Sequence, residues 1–269
     1  MVRRQVLSTQ SRLHAYYAVV AGLLILPGLP LFENLLLGPT GYFVAADRAA
    51  TNGDFAPLLI WIAAHTTLNA VFHIVELLPF MFLVPFPRTV RQQLDGARPR
   101  SSLIFATAGQ VGVILYAVAL AIGIPAATTL AEGYARTLGT PRETQYLASF
   151  GNLLAIQNLV AQVAGALFLV IWLVAVSIRG ARLARIPRAL TLFGLGEAAL
   201  LAVSAVQYLA QPMVSQTALS GLSLLLFAVW VVLFGLQVTR LPVPGGETGT
   251  SIAGASRDSD ADDRQSTAR

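Results

Sequence analysis

The chain has 269 residues, 55% of them hydrophobic and only 12% charged, with a formal charge of +5. Mean hydropathy is +0.67, whereas soluble domains carry about a quarter charged residues, so the composition excludes a soluble globule and points to an integral membrane protein. A nucleic-acid binder is excluded too, because the basic residues sit in short stretches between apolar runs, which is the membrane-orientation pattern.

The first residues, MVRRQVLSTQSR, are basic and precede an apolar run. No small-x-small cleavage site follows, so 1–12 reads as a cytoplasmic flank rather than a signal peptide. Segment one covers 13–37. Pro27, Gly28 and Pro30 predict a kink or break within it, with Glu33 and Asn34 beyond it near the outer surface. A polar loop is expected at 38–55. Segment two covers 56–86, where Pro79, Pro85 and Pro87 predict a kink and an early end.

Segment three, 102–126, is uncharged and holds Gln110. Segment four, 146–178, spaces Gly151, Ala155, Asn158, Gln162 and Gly165 along one face, the pattern of close helix packing in membranes. Segment five, 187–210, opens on Pro187 and contains Glu197. A short link leads to segment six, 217–238, so five and six form a helical hairpin. The tail, 241–269, is rich in Gly, Ser and Asp and reads as disordered. The expected fold is an all-α polytopic bundle of six transmembrane helices, residues 13–240, followed by that tail. Segments two and five each hold an acid, but at different distances from their starts, so no internal repeat is read.

Arginine alternates between connections. The N-terminal flank has Arg3, Arg4 and Arg12, and the first loop has Arg48. The second loop has Arg88, Arg91, Arg98 and Arg100, and the third has Arg136 and Arg142. The fourth has Arg179, Arg182, Arg185 and Arg188, and the fifth has none. The positive-inside rule then places both termini in the cytoplasm of a multi-pass cell-membrane protein.

Segment two carries the most unusual pattern. His65, Asn69, His73 and Glu76 fall within an arc of roughly 80° on one helix face. A polar stripe inside a membrane helix is costly and needs partners. With Asn158, Gln162 and Glu197 it forms a candidate polar seam facing the bundle interior. His73 and Glu76, at i and i+3, are spaced to touch. His65 and His73 are roughly 12 Å apart along the helix and cannot share a metal ion. Zinc on His73 and Glu76 would need a third ligand, with Glu197 or Glu33 the candidates. Haem needs partner histidines, and only His14 remains. The chain has no Cys and all 18 basic residues are Arg. That excludes disulfides, thiolate chemistry, lysine Schiff bases and a P-loop lysine.

The passage 157–198, QNLVAQVAGALFLVIWLVAVSIRGARLARIPRALTLFGLGEA, resembles a bacterial six-helix integral membrane family catalogued only as a domain of unknown function. The likeness lies in the apolar run through Gly165, Ala166, Leu167, Phe168 and Trp172, the basic link after it, and the Pro187–Arg188 pair opening a Gly-rich helix. Ala189, Leu190 and Thr191 stand where that family commonly has a Leu–Gly pair. The resemblance implies six helices and a bacterial inner-membrane location, and it implies no activity.

The expected function is therefore that of an integral membrane protein with a structural or interaction role. The alternative is a small proton-coupled or solute transporter using the seam, and third comes a membrane-embedded metal-dependent hydrolase. Membrane lipids are the expected partners; no catalytic residue, cofactor or metal site is assigned.

Overall fold

The computed structural model describes residues 9–95, 100–183, 186–210 and 216–239. The tail expected at 241–269, most of the flank expected at 1–12 and most of the link before segment six lie outside these residues. Among the described residues every regular element is helical. Six helices are long and apolar enough to cross a membrane: Gln10–Thr40, Thr66–Leu94, Leu103–Arg136, Glu143–Arg182, Arg188–Ala210 and Leu219–Thr239. The protein is an all-α, six-span membrane bundle.

Span one comprises α1 (Thr9–Leu23), a π-helical stretch Leu24–Gly28, α2 (Leu29–Phe32), a second π-helical stretch Glu33–Leu37 and a 3₁₀ turn Gly38–Thr40. Of the expected kink or break at Pro27–Pro30, the chain shows no break. Wider π turns absorb the missing N–H groups and the ring clash, and the chain stays helical. The expected loop at 38–55 also contains a helix, α3 (Tyr42–Asn52). Gly41 (φ 81°) and Gly53 (φ 66°) bracket it in the left-handed region that glycine adopts at least cost.

Segment two is three helices rather than one: α4 (Ala56–Ala64), α5 (Thr66–Leu83) and α6 (Phe86–Asp95). His65 causes the first break, with φ −129° and ψ 42°. Its Nδ1 donates to the Trp61 carbonyl at 3.0 Å, and its ring stacks on the indole at 5.0 Å. A side chain bonded to the i−4 carbonyl competes with the helical ladder. Pro85 and Pro87 set the second break.

The remaining elements are α7 (Arg100–Arg136), α8 (Glu143–Asn158), a π-helical stretch Leu159–Gly165, α9 (Ala166–Arg182), α10 (Arg188–Ala210) and α11 (Gln216–Thr239). The 37 residues of α7 reach about 55 Å at ~1.5 Å per residue. That is well beyond a hydrocarbon core of ~30 Å, so the stretch expected as a loop after residue 126 stays helical to Arg136.

The six spans close into a ring in chain order. α1 packs on α5, α5 on α7, α7 on α9, α9 on α10, α10 on α11, and α11 returns to α1. Small residues bring the neighbours together. A Cβ on Gly109 would fall 2.6 Å from Trp172 Cγ, one on Gly112 2.8 Å from Leu169 Cγ, and one on Gly235 2.8 Å from Val19 Cγ2. α6 lies across one end of the ring, touching α1, α7 and α9. Its Phe86, Val90 and Leu94 are buried while Arg88 and Gln92 are exposed. Phe86 meets Trp172 (6.2 Å), Trp230 (6.4 Å) and Phe234 (6.0 Å) edge-on, so an aromatic knot seals this end. At the opposite end α3, α4, the first half of α5, the end of α7 and the start of α8 build a second core around Trp61, Phe72, Tyr134 and Phe150.

Gly109→Ala should lower unfolding stability in detergent or bicelles by about 1–3 kcal/mol, because the added methyl group would overlap the indole of Trp172. Gly196 has no atom within 4 Å of its Cβ direction. Gly196→Ala should therefore be neutral or stabilising by up to ~1 kcal/mol, since alanine favours the helix.

Candidate functional site

Glu197 lies on α10 and is 1% exposed. Its Oε1 accepts a hydrogen bond from Ser223 Oγ on α11 at 2.8 Å. Its Oε2 has no partner among the described residues. Tyr116 of α7, a helix that is not a ring neighbour of α10, is buried as well. Tyr116 stacks face to face on Phe80 of α5, with centroids 5.3 Å apart and planes 3° apart. It fits there because Gly165 leaves space: a Cβ at that position would lie 2.9 Å from the ring. Glu197 and Tyr116 thus mark the centre.

Toward the ring end capped by α3 and α4, the helix that carries Phe80 also carries the polar stripe. His73 Nδ1 and Glu76 Oε2 are hydrogen-bonded at 2.7 Å, each side chain about a quarter exposed. Asn69 is 2% exposed, and its Nδ2 has no partner among the described residues. His65 is half-buried at the helix break. Two residues that sequence periodicity does not join to the stripe approach it. Glu33 is half-buried in its π-helical turn, and the residue before it, Phe32, stacks on Phe72 of α5 at 6.0 Å. Tyr42 of α3 packs edge-on against Trp61 (4.8 Å) and Phe72 (5.8 Å). Burial pushes the Tyr42 phenol well above its ordinary value, and the Glu76 and Glu33 carboxylates push it further in the same direction.

Below the centre, toward α6, Trp172 and Trp230 cross edge-on at 5.5 Å. Trp230 Nε1 donates to the Leu190 carbonyl at 3.2 Å. Ser177 and Thr191 are buried beside this knot, and their hydroxyls have no partner among the described residues. Gly194 makes room for it, since a Cβ there would come 2.6 Å from Ser177 Oγ and 2.9 Å from Trp230 Nε1.

The seam therefore divides. His65, Asn69, His73 and Glu76 gather with Glu33 and Tyr42. Glu197 sits apart at the centre, with the Phe80–Tyr116 stack between. Asn158 and Gln162 join neither group; they are half-buried, and their side chains make no hydrogen bond among the described residues. The cross-helix bond on that span comes instead from Gln157, whose Nε2 donates to the Ala119 carbonyl at 2.9 Å. Tyr208 Oη adds another to the Ala155 carbonyl at 3.1 Å. Among the described residues no three His, Asp or Glu side chains are placed to hold a metal ion, so neither Glu197 nor Glu33 completes a set with His73 and Glu76.

The fold and its centre define a multi-pass helical membrane protein with a buried intramembrane acid. Comparison with family models, curated proteins and solved structures found no match to the chain.

Tyr42 yields a signed pH dependence. A phenol raised in the folded state holds its proton where the unfolded chain loses it. Stability from this group is complete below the ordinary phenol value and declines as pH rises above about 10. Unfolding measured between neutral and strongly alkaline pH should show this decline, and Tyr42→Phe should flatten it.

Proposed function

We propose that this chain is a small proton-coupled or solute carrier of the cell membrane, with Glu197 as the group that takes up and releases the coupled proton. The observation that carries this reading is the place of Glu197: at the centre of a closed ring, with one carboxyl oxygen on Ser223 and the other without a partner. Ionisable groups inside a membrane bundle are costly, and they recur along ion and proton paths. Aromatic side chains close both approaches to the acid. The Phe80–Tyr116 stack stands toward the Glu33, Tyr42, His73 and Glu76 cluster, and the Trp172–Trp230–Phe86 knot stands toward α6. In this reading the ring is in its occluded form, and the outer cluster receives the solute or proton.

A structural or interaction role is the second reading. What favours it is that His73 and Glu76 satisfy each other within one helix, as do the cross-helix bonds of Gln157 and Tyr208. Glu197→Gln separates the two, because the amide still accepts from Ser223. In proteoliposomes reporting internal pH, a carrier should lose proton movement on this substitution while its melting temperature stays near that of the parent. Unchanged proton movement, or none in the parent either, leaves the structural role standing. Glu76→Gln should leave stability nearly unchanged in both readings, since an amide still pairs with His73.

We also place both termini in the cytoplasm and the chain within the bacterial six-helix family it resembles. Contacts put α6, the end of α9 and the start of α10 at one end of the ring. Arg88, Arg182 and Arg188 are exposed there, and the positive-inside rule makes that end cytoplasmic. Cysteines introduced at exposed Asn52 and Thr140 should label with an impermeant thiol reagent in intact cells, and one at exposed Ala181 should not. The reverse pattern would invert the topology.

A further inference from the structure

We infer that Arg88 is the anchor of a binding site for the phosphate group of an anionic phospholipid, at the ring end sealed by α6. The site stands independently of the carrier reading. Arg88 follows the apolar span directly, on the exposed face of an amphipathic helix whose other face is buried in the ring. Basic amphipathic helices at this level of a membrane protein meet lipid headgroups.

The guanidinium is held in place from behind. Arg88 Nε donates to Gln110 Oε1 at 2.8 Å, and Gln110 Nε2 donates to the Val84 carbonyl at 2.9 Å. Gln110 is itself 9% exposed, so a buried amide fixes one edge of the guanidinium. The terminal N–H groups are left for a planar, bidentate acceptor, and a phosphate monoanion fits that fork.

Charge complementarity agrees. Arg88, Arg182 and Arg188 share this end of the ring, are exposed, and have no carboxylate partner among the described residues. At the opposite end Arg48, Arg136 and Arg142 are interspersed with Asp47, Asp54, Glu132 and Glu143, and Arg136 pairs with Glu132 at 3.2 Å. Among the described residues the cluster of Arg88, Arg182 and Arg188 therefore makes this end the more attractive one to anionic headgroups.

The test uses the full chain in nanodiscs of phosphatidylcholine with and without phosphatidylglycerol. Bound lipid is counted by native mass spectrometry. The parent should retain phosphatidylglycerol. Arg88→Gln should weaken its retention about tenfold, the worth of one charge-assisted contact. Arg88→Lys keeps the charge but not the fork, and should recover only part of it. Gln110→Met should weaken retention while Arg88 remains, because the guanidinium is no longer held. Replacing Arg48, Arg136 and Arg142 together by Gln should change nothing. Equal retention by the parent and Arg88→Gln, or full rescue by Arg88→Lys, would overturn the site. Stabilisation of the parent by inorganic phosphate alone in phosphatidylcholine discs, lost in Arg88→Gln, would assign it to a free anion and overturn the lipid.

Discussion

The seating of Trp172 on the bare Cα of Gly109 is the contact on which most of this bundle depends. In hydrocarbon, burying one more leucine drives nothing, because lipid tails are as apolar as the side chain. Helices associate where their surfaces fit. Gly109 lets an indole lie against the α7 backbone, and the same indole then meets Trp230 and Phe86. Those two fix α11 and α6. Trp230 in turn bonds the Leu190 carbonyl of α10. The depth of Glu197, two turns further along α10, follows from a glycine on a helix that is not its neighbour.

A second constraint governs the polar groups. Water is absent from the bilayer core, so a side chain that donates or accepts there has to find protein. Gln110, Gln157 and Tyr208 do so on main-chain carbonyls of other helices. Glu197 does so with one oxygen only, and Asn69 leaves its amide nitrogen without a partner among the described residues. Unspent groups thus sit at the ring centre, on the stripe leading to it and, as the Ser177 and Thr191 hydroxyls, beside the aromatic knot, while the spent ones tie the helices together.

The six spans were legible because length and hydropathy are local properties, and so was the His73–Glu76 contact, which 3.6-residue spacing alone sets. What could not be read depends on geometry between segments. Pro27 and Pro30 look like a break, yet π turns accommodate them. The stretch around Tyr42 looks like coil by polarity; Gly41 and Gly53, one helix apart, were the signal that it is a bracketed helix. Glu33 and Tyr42 join the stripe only through tertiary packing. On span four the observed cross-helix amide bond is that of Gln157, next to Asn158 on α8. The π-helical stretch Leu159–Gly165 departs from 3.6 residues per turn, so a helical wheel carried through it to Gln162 rotates out of phase. The ring order was invisible to periodicity, which names a face but never the neighbour it meets.

The unequal lengths of the spans couple the protein to the sheet it lives in. The last helix, α11, has 24 residues, about 36 Å at ~1.5 Å each, little more than a hydrocarbon core of ~30 Å. The third span has 34 residues in its apolar stretch and tolerates any thickness by tilting or by standing proud of the surface. A thicker bilayer therefore strains the α10–α11 side of the ring and leaves the α7 side indifferent, at a cost of fractions of a kcal/mol per Å. The cost of such one-sided mismatch falls on the two helices that hold the Glu197–Ser223 pair.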